Sequence, residues 1–426
     1  MEQAPIVDAD GHVLEPPSGM AERAPTKFRD RIWQIVTRAD GSEWLRYNGG
    51  ERPANGLALA GAGGMSAADR ERALRGEMKY TEVRAGAFRP LPRLVDMDAD
   101  GIEQAVLYPT LLLGLPSLED AEFAEVQANA YNEWLTEYCA AAPERLFGVG
   151  VVPHQDVARA VRVIRRAREL GMVGVFLRPN PSVDGKKFHD PVYDPIWRTC
   201  EELDLPVGLH PFLAPDMPGA CRALGFYELK AEGVELARTD AASPIRHMAN
   251  IFFSQAISNP FDMMEVLTVM ICGGVLERFP RLKLIFLEAS GGWIVPWLER
   301  LDHHYEVFGW DVPWLRMKPS EYFRRQCWIS FDPDESALAF TARSPLVGPE
   351  RIIWASDYPH PDAKVPGVVD ELREATASLD AAEQARILGQ NAAGLYGLPP
   401  LTSRRGSARA AARPPRSRSP SPRRAG

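Results

Sequence analysis

Short apolar runs alternate with helical periodicities along most of the chain. Eight runs read as strands: residues 5–13 (PIVDADGHV), 104–110 (QAVLYPT), 147–153 (FGVGVVP), 174–180 (GVFLRPN), 206–212 (PVGLHPF), 282–290 (LKLIFLEAS), 327–333 (CWISFDP) and 352–359 (IIWASDYP). Most are apolar and β-branched, as expected of strands covered on both faces. Between them, residues 156–170 place apolar side chains at 3–4 spacing and stop at Gly171, a helix terminator. Residues 191–203 and 293–308 follow the same period. Eight strand–helix units predict an α/β fold, a (β/α)8 TIM barrel. The rival, a doubly wound open sheet, lacks its usual mark, since no GxGxxG opens a helix here.

Two segments exceed the barrel template. Residues 28–51 hold two strand-like runs around Asp40-Gly41, which predicts a β-hairpin. A Gly/Ala-rich loop at 55–64 completes this first insertion, 28–64. After the fifth strand, residues 213–281 are mostly helical in pattern, including 254–277, and predict a second insertion. Both are expected near the barrel mouth, one as an oligomer contact in a homodimer. Residues 1–400 are read as a single barrel domain.

Composition narrows the setting. Of 426 residues, 45% are hydrophobic and 25% charged, ordinary for a soluble chain. No stretch reaches the roughly 18 apolar residues of a membrane span, and no signal peptide precedes the first strand. Five scattered cysteines form no CxxC, so thiolate zinc and a disulfide framework are not expected, and a reducing cytoplasm is. The net charge of −8 conceals an asymmetry: residues 403–426 carry eight arginines and no acid, leaving 41 basic against 57 acidic residues elsewhere. An acidic body argues against nucleic-acid binding. The Arg/Ser/Pro tail, 401–426, cannot build a core and is expected to be disordered.

Chemistry gathers at the strand ends. The first strand carries Asp8, Asp10 and His12 at alternate positions, which strand geometry places on one face. Two carboxylates and an imidazole are costly to bury unless paired, and a cation would neutralise them. Polar residues also stand at the ends of the fifth (His210), sixth (Glu288) and eighth (Asp357) strands. Singly, these read as a satisfied core histidine, a helix-dipole partner and a helix cap. Together they converge on the mouth where barrel active sites lie and predict a metal site.

The motifs VDADGHVLEPP, LVDMDADGIEQAVLYPT, GVFLRPNP, LPVGLHPF, FLEASGGWIVPWLERLDHHYE, WASDYPHPD and ILGQNAAGLYGL resemble the amidohydrolase-related family. The relevant branch includes aminocarboxymuconate semialdehyde decarboxylase and many uncharacterised actinobacterial metal-dependent hydrolases. The resemblance runs from about residue 5 to 398 and implies a (β/α)8 barrel. It places the first-strand metal motif on Asp10 and His12, the fifth-strand metal histidine on His210, and the eighth-strand metal and proton-handling aspartate on Asp357. The decarboxylases end the sixth strand in a catalytic histidine; Glu288 or Ser290 stands there in this chain.

A site with more carboxylates suits one or two divalent ions, with iron or manganese favoured over zinc. His304 is a further ligand candidate, although the preceding helix should carry it away from the mouth at 1.5 Å per residue. His360 is a candidate acid or oxyanion donor beside Asp357. Arg178 is placed to hold a substrate carboxylate, or else forms a structural ion pair. Phe212, Trp293 and Tyr358 are candidate lining residues that pack equally well as core. The preferred expectation is hydrolysis of an acyl bond by metal-activated water, with Asp357 as base then acid. Its concrete substrate would be a small molecule such as an acyl-CoA thioester. The alternatives are non-oxidative decarboxylation of an unsaturated or aromatic acid, and an inactive barrel that binds a ligand.

Overall fold

The computed structural model describes residues 5–180, 183–212, 252 and 254–400. The eight expected strands all form. In chain order the strands are β1 (Val7–Val13), β2 (Gln34–Thr37), β3 (Glu43–Tyr47), β4 (Gly50–Pro53), β5 (Gln104–Pro109), β6 (Leu146–Val151), β7 (Gly174–Leu177), β8 (Val207–Leu209), β9 (Leu284–Phe286), β10 (Cys327–Phe331) and β11 (Ile352–Trp354). The order β1-β5-β6-β7-β8-β9-β10-β11 is parallel throughout. Most observed strands are shorter than the apolar runs that announced them, because those runs continue into the loop at the barrel's carboxyl end, as 174–180 and 352–359 do past Leu177 and Trp354. Closure comes just past β11, where the His12 N–H donates to Tyr358 O at 2.6 Å and the Asp357 N–H lies 3.4 Å from Asp10 O. The (β/α)8 barrel expected from the repeats is therefore present.

The helices follow their sequence signals. Asp156 caps Val157–Glu169 by accepting from the Arg159 N–H, and Asp120 caps Ala121–Cys139 by accepting from the Phe123 N–H; each satisfies a donor that the first helical turn leaves unpaired. The segment read as 191–203 divides into a 3-10 turn, Pro191–Tyr193, and the helix Asp194–Glu202. The segment read as 293–308 becomes the helix Ile294–Phe308.

The first insertion is larger than a hairpin. β2 and β3 pair antiparallel as expected, but β4 adds a third strand. Its turn, Asn48-Gly49, has both φ values positive (51° and 78°), the conformation that Asn-Gly favours in a two-residue hairpin loop. The loop at 55–64 winds into a buried 3-10 helix, Asn55–Gly61. In the second insertion, Asn259–Cys272 and Val275–Arg278 are helical. Residues 213–251 and the tail 401–426 lie outside the described residues. No described helix is long and apolar enough to cross a membrane.

Candidate metal centre

Two residues apart on β1, Asp10 and His12 reach the barrel interior, and both are buried. Asp8 does not join them. The β1–β5 register shifts between Asp8 and Gly11, and this bulge breaks the alternation that would have put all three on one face. Asp8 turns outward instead, accepting from the Ser356 N–H (3.0 Å) and hydroxyl (2.6 Å), with the Arg93 guanidinium at 3.8 Å. Only glycine fits the bulge at position 11, since a Cβ there would sit 2.4 Å from Asp8 Oδ2.

His12 and His210 are oriented by their own strand ends. The Nδ1 of His12 lies 2.7 Å from Pro109 O, and that of His210 lies 2.8 Å from Pro211 O. A carbonyl only accepts, so each Nδ1 carries the hydrogen and each Nε2 presents a lone pair. Those two Nε2 atoms are 3.3 Å apart. Around them lie Asp10 Oδ1 (3.6 Å from His12 and 3.9 Å from His210), Asp357 Oδ1 (3.5 Å from His12) and Glu288 Oε2 (3.2 Å from His210). Asp10 Oδ1 is buried with no hydrogen-bond partner.

Among the described residues these acceptors face one another, and Asp10 Oδ1 has no donor at all. Donors bound to one ion at about 2.1 Å stand about 3.0 to 3.4 Å apart, depending on octahedral or tetrahedral geometry. The observed separations of 3.2 to 3.9 Å approach that spacing. Asp10, His12 and His210 form one set able to hold an ion, and His12, Asp357 and His360 form another that shares His12. The donor set fits a divalent metal.

Electrostatics give the same answer. Burial raises the carboxyls of Asp10, Glu288 and Asp357 well above their ordinary range, and their mutual repulsion adds to it. Burial also pushes the imidazole of His12 well down and that of His210 to about 3. Burial thus opposes charge on every member of the cluster, and a cation supplies the charge that favours ionised carboxylates beside neutral imidazoles.

Glu288 and Asp357 are held by unusual backbone. Glu288, Ser290 and Asp357 have φ of 44°, 52° and 52°, a left-handed conformation that costs non-glycine residues roughly 1–3 kcal/mol and persists only where the surroundings fix it. His360 Nδ1 lies 2.6 Å from Asp357 Oδ1, and its Nε2 lies 3.3 Å from the Thr110 hydroxyl. That hydroxyl donates to Val13 O, and buried Glu15 accepts from the N–H groups of Thr110, Leu111 and Leu112.

Other candidates stand elsewhere. His304 remains on the helix Ile294–Phe308, where its Nδ1 lies 2.9 Å from Arg300 O and its ring packs on His303 and Phe308; the rise of the helix removes it from the cluster. Tyr358 does not line the mouth either. Its hydroxyl donates to Asp96 at 2.6 Å and its ring lies under the Arg93 guanidinium, because the backbone at 358 is committed to the barrel seam. Trp293 gives its indole N–H to Ala289 O and Ser290 O and so braces the turn bearing Glu288. Phe212 is half-buried, with its ring over Gly114, where a Cβ would meet it at 2.8 Å. Arg178 is 1% exposed; the preceding Leu177 O accepts from the His210 N–H at 3.2 Å, and its charge is felt by His154 and Asp262.

Sequence reasoning missed Thr110, Asp332 and Glu335. Asp332 and Glu335 follow β10 at the mouth; burial raises them to about 6 and about 7. Their position after a barrel strand was the available signal.

A family model for amidohydrolases matches residues 7–398. The chain belongs to that family. The 2-amino-3-carboxymuconate-6-semialdehyde decarboxylase of Dictyostelium discoideum is 26% identical over 325 residues, 75% of this chain and 80% of that one. A gamma-resorcylate decarboxylase of Rhodococcus jostii is 27% identical over 320 residues, 72% and 87% of the two chains. Among solved structures, an amidohydrolase from Mycobacterium avium subsp. paratuberculosis superposes with a TM-score of 0.70 at 20% identity, covering 93% of this chain and all of that one. A manganese-bound 5-carboxyvanillate decarboxylase from Novosphingobium aromaticivorans gives 0.59 at 22%, covering 93% and 96%. These likenesses agree on the barrel.

The relatives correct one expectation. Acyl-bond hydrolysis, and with it the acyl-CoA thioester, gives way to decarboxylation, because the named relatives are decarboxylases. Histidines and carboxylates around a cation serve both reactions, so the donor set alone could not choose between them. Family membership supports an enzyme over an inactive ligand-binding barrel.

Proposed function

We propose that the protein is a divalent-metal-dependent, non-oxidative decarboxylase of a small aromatic or unsaturated carboxylic acid, with manganese as the resident ion. The relatives' chemistry supports the reaction class, and the manganese of the Novosphingobium neighbour supports the ion; carboxylate-rich oxygen donors suit it as well as iron and better than zinc. The observation that carries the reading is the place of Asp357. Its Oδ1 lies between His12 Nε2 at 3.5 Å and His360 Nδ1 at 2.6 Å, joining the metal cluster to a group that handles protons.

Decarboxylation breaks one C–C bond, leaves its electron pair on carbon, releases carbon dioxide and needs one proton at that carbon. The bound metal would hold the substrate's carboxylate and a neighbouring oxygen and draw charge toward them. Asp10, His12, His210 and Glu288, with Asp357, are the residues that would hold it. Asp357 would take that proton from His360, whose Nδ1 lies 2.6 Å from its Oδ1, and pass it to the carbon as a general acid. Phe212 offers a ring to the flat body of the substrate. Arg178, buried where its charge reaches His154 and Asp262, is the candidate positive group for an anionic acid.

The test is direct. Chelated protein reloaded with manganese is offered a panel of ortho-hydroxybenzoates and muconate-like acids, and carbon dioxide is measured with ultraviolet loss of substrate. Release from at least one acid, dependent on metal, is expected. Metal binding with no carbon dioxide from any member would overturn the assignment.

A further inference from the structure

The turn that delivers Glu288 is built from strained backbone and is held by groups outside the donor set. Glu288 and Ser290 are left-handed. Gly291 follows, and the Phe331 ring occupies the space where a Cβ would be, at 2.1 Å. On one side, buried Asn259 donates to Glu288 O at 3.0 Å. On the other, Glu335 accepts from the Gly291 N–H at 3.0 Å through both oxygens and from the Gly292 N–H at 3.3 Å. The same carboxyl accepts from the Asp332 N–H at 2.9 Å, and Asp332 in turn takes a hydrogen bond from the Ser290 side chain.

We propose that Glu335 is a positioning residue for the metal centre, fixing the strained turn 288–292 so that the Glu288 carboxylate faces His210. This rests on the reading that Glu288 belongs to that centre. A left-handed non-glycine residue reverts to an ordinary conformation when its surroundings no longer determine it. Glu335 supplies the acceptor for two consecutive N–H groups of the turn and ties them to the loop after β10. Removing it frees the turn, and Glu288 Oε2 then leaves its place 3.2 Å from His210 Nε2. A purely structural role is the competing account, since the turn also opens the helix Ile294–Phe308. That role would lower stability and leave the ion's affinity alone.

Manganese binding to the full chain, followed by the electron paramagnetic resonance of free Mn2+ beside thermal unfolding, separates the two. Glu335→Ala is expected to weaken Mn2+ binding at least tenfold, and Glu335→Gln, which keeps one acceptor oxygen, by less. Asn259→Ala, which releases the other side of the turn, should also weaken it severalfold and decides the matter if the Glu335 variants do not fold. Glu288→Gln is the reference. If it weakens Mn2+ binding while Glu335→Ala and Asn259→Ala leave affinity unchanged and only lower the melting temperature, the positioning role is overturned and the metal centre stands. If Glu288→Gln itself leaves affinity unchanged, Glu288 is no part of the centre and both readings fall.

Discussion

Asp8 holds Ser356 by two hydrogen bonds, 3.0 Å from its N–H and 2.6 Å from its hydroxyl, across 348 residues of chain. Ser356 immediately precedes Asp357, and its hydroxyl accepts from the Tyr358 N–H. A carboxylate that never touches the metal cluster therefore sets the backbone of one that does. Asp8→Asn should cost about 1–3 kcal/mol of stability, because one buried partner is lost or reversed. It should also lower kcat more than it raises KM. Urea unfolding and steady-state kinetics check the two effects together.

Asp357 has the proposed proton-carrying role. Asp357→Asn keeps the shape and one oxygen but cannot deliver a proton. Carbon dioxide release is expected to fall by about 100-fold or more, the usual scale for removing a general acid, while substrate still binds. Equilibrium binding of substrate alongside single-turnover kinetics measures both.

Removing the metal should destabilise the protein. The acceptors of Asp10, His12 and His210 then face one another with no cation between them. An ion at about 100 times its dissociation constant stabilises the fold by about 2.7 kcal/mol. Thermal unfolding with chelator and with added Mn2+ should show a lower transition for the stripped protein, restored on reloading. Identical transitions would contradict a bound resident ion.

His154 supplies a pH dependence away from the cluster. Burial first, and the nearby Arg178 charge second, push its imidazole to about 3; unfolded, it titrates near 6.5. The unfolded chain binds the extra proton between these values. The contribution is complete above about pH 6.5 and is lost as pH falls toward 3, with a slope of no more than about 1.4 kcal/mol per pH unit. In metal-free protein, His154→Gln should flatten stability against pH in that window. Parallel curves for the two proteins would show that His154 titrates normally in the folded state.

The barrel was legible because its strands are short apolar runs separated in several places by helical periods, as 156–170 follows 147–153 and 191–203 follows 174–180. The proximity of Asp10, His12, His210 and Asp357 was legible because each sits on or at the end of a barrel strand. Asp8 was misassigned because a one-residue bulge reverses a face without altering composition. Glu335 escaped notice because an acid in a loop looks like any solvated acid until its three N–H partners, on Gly291, Gly292 and Asp332, are seen. The reaction itself was misread from Glu288, since a change of one donor speaks to the ion more than to the bond being broken.

The seam of the barrel has a temporal consequence. His12 and Tyr358, Asp10 and Asp357 join the earliest strand to the latest, so the cation's cradle is finished only when β11 docks. A nascent chain that stops short of residue 357 lacks one proposed donor, so the full set is expected to form only as folding closes. Loading efficiency should accordingly report how many molecules have completed the ring.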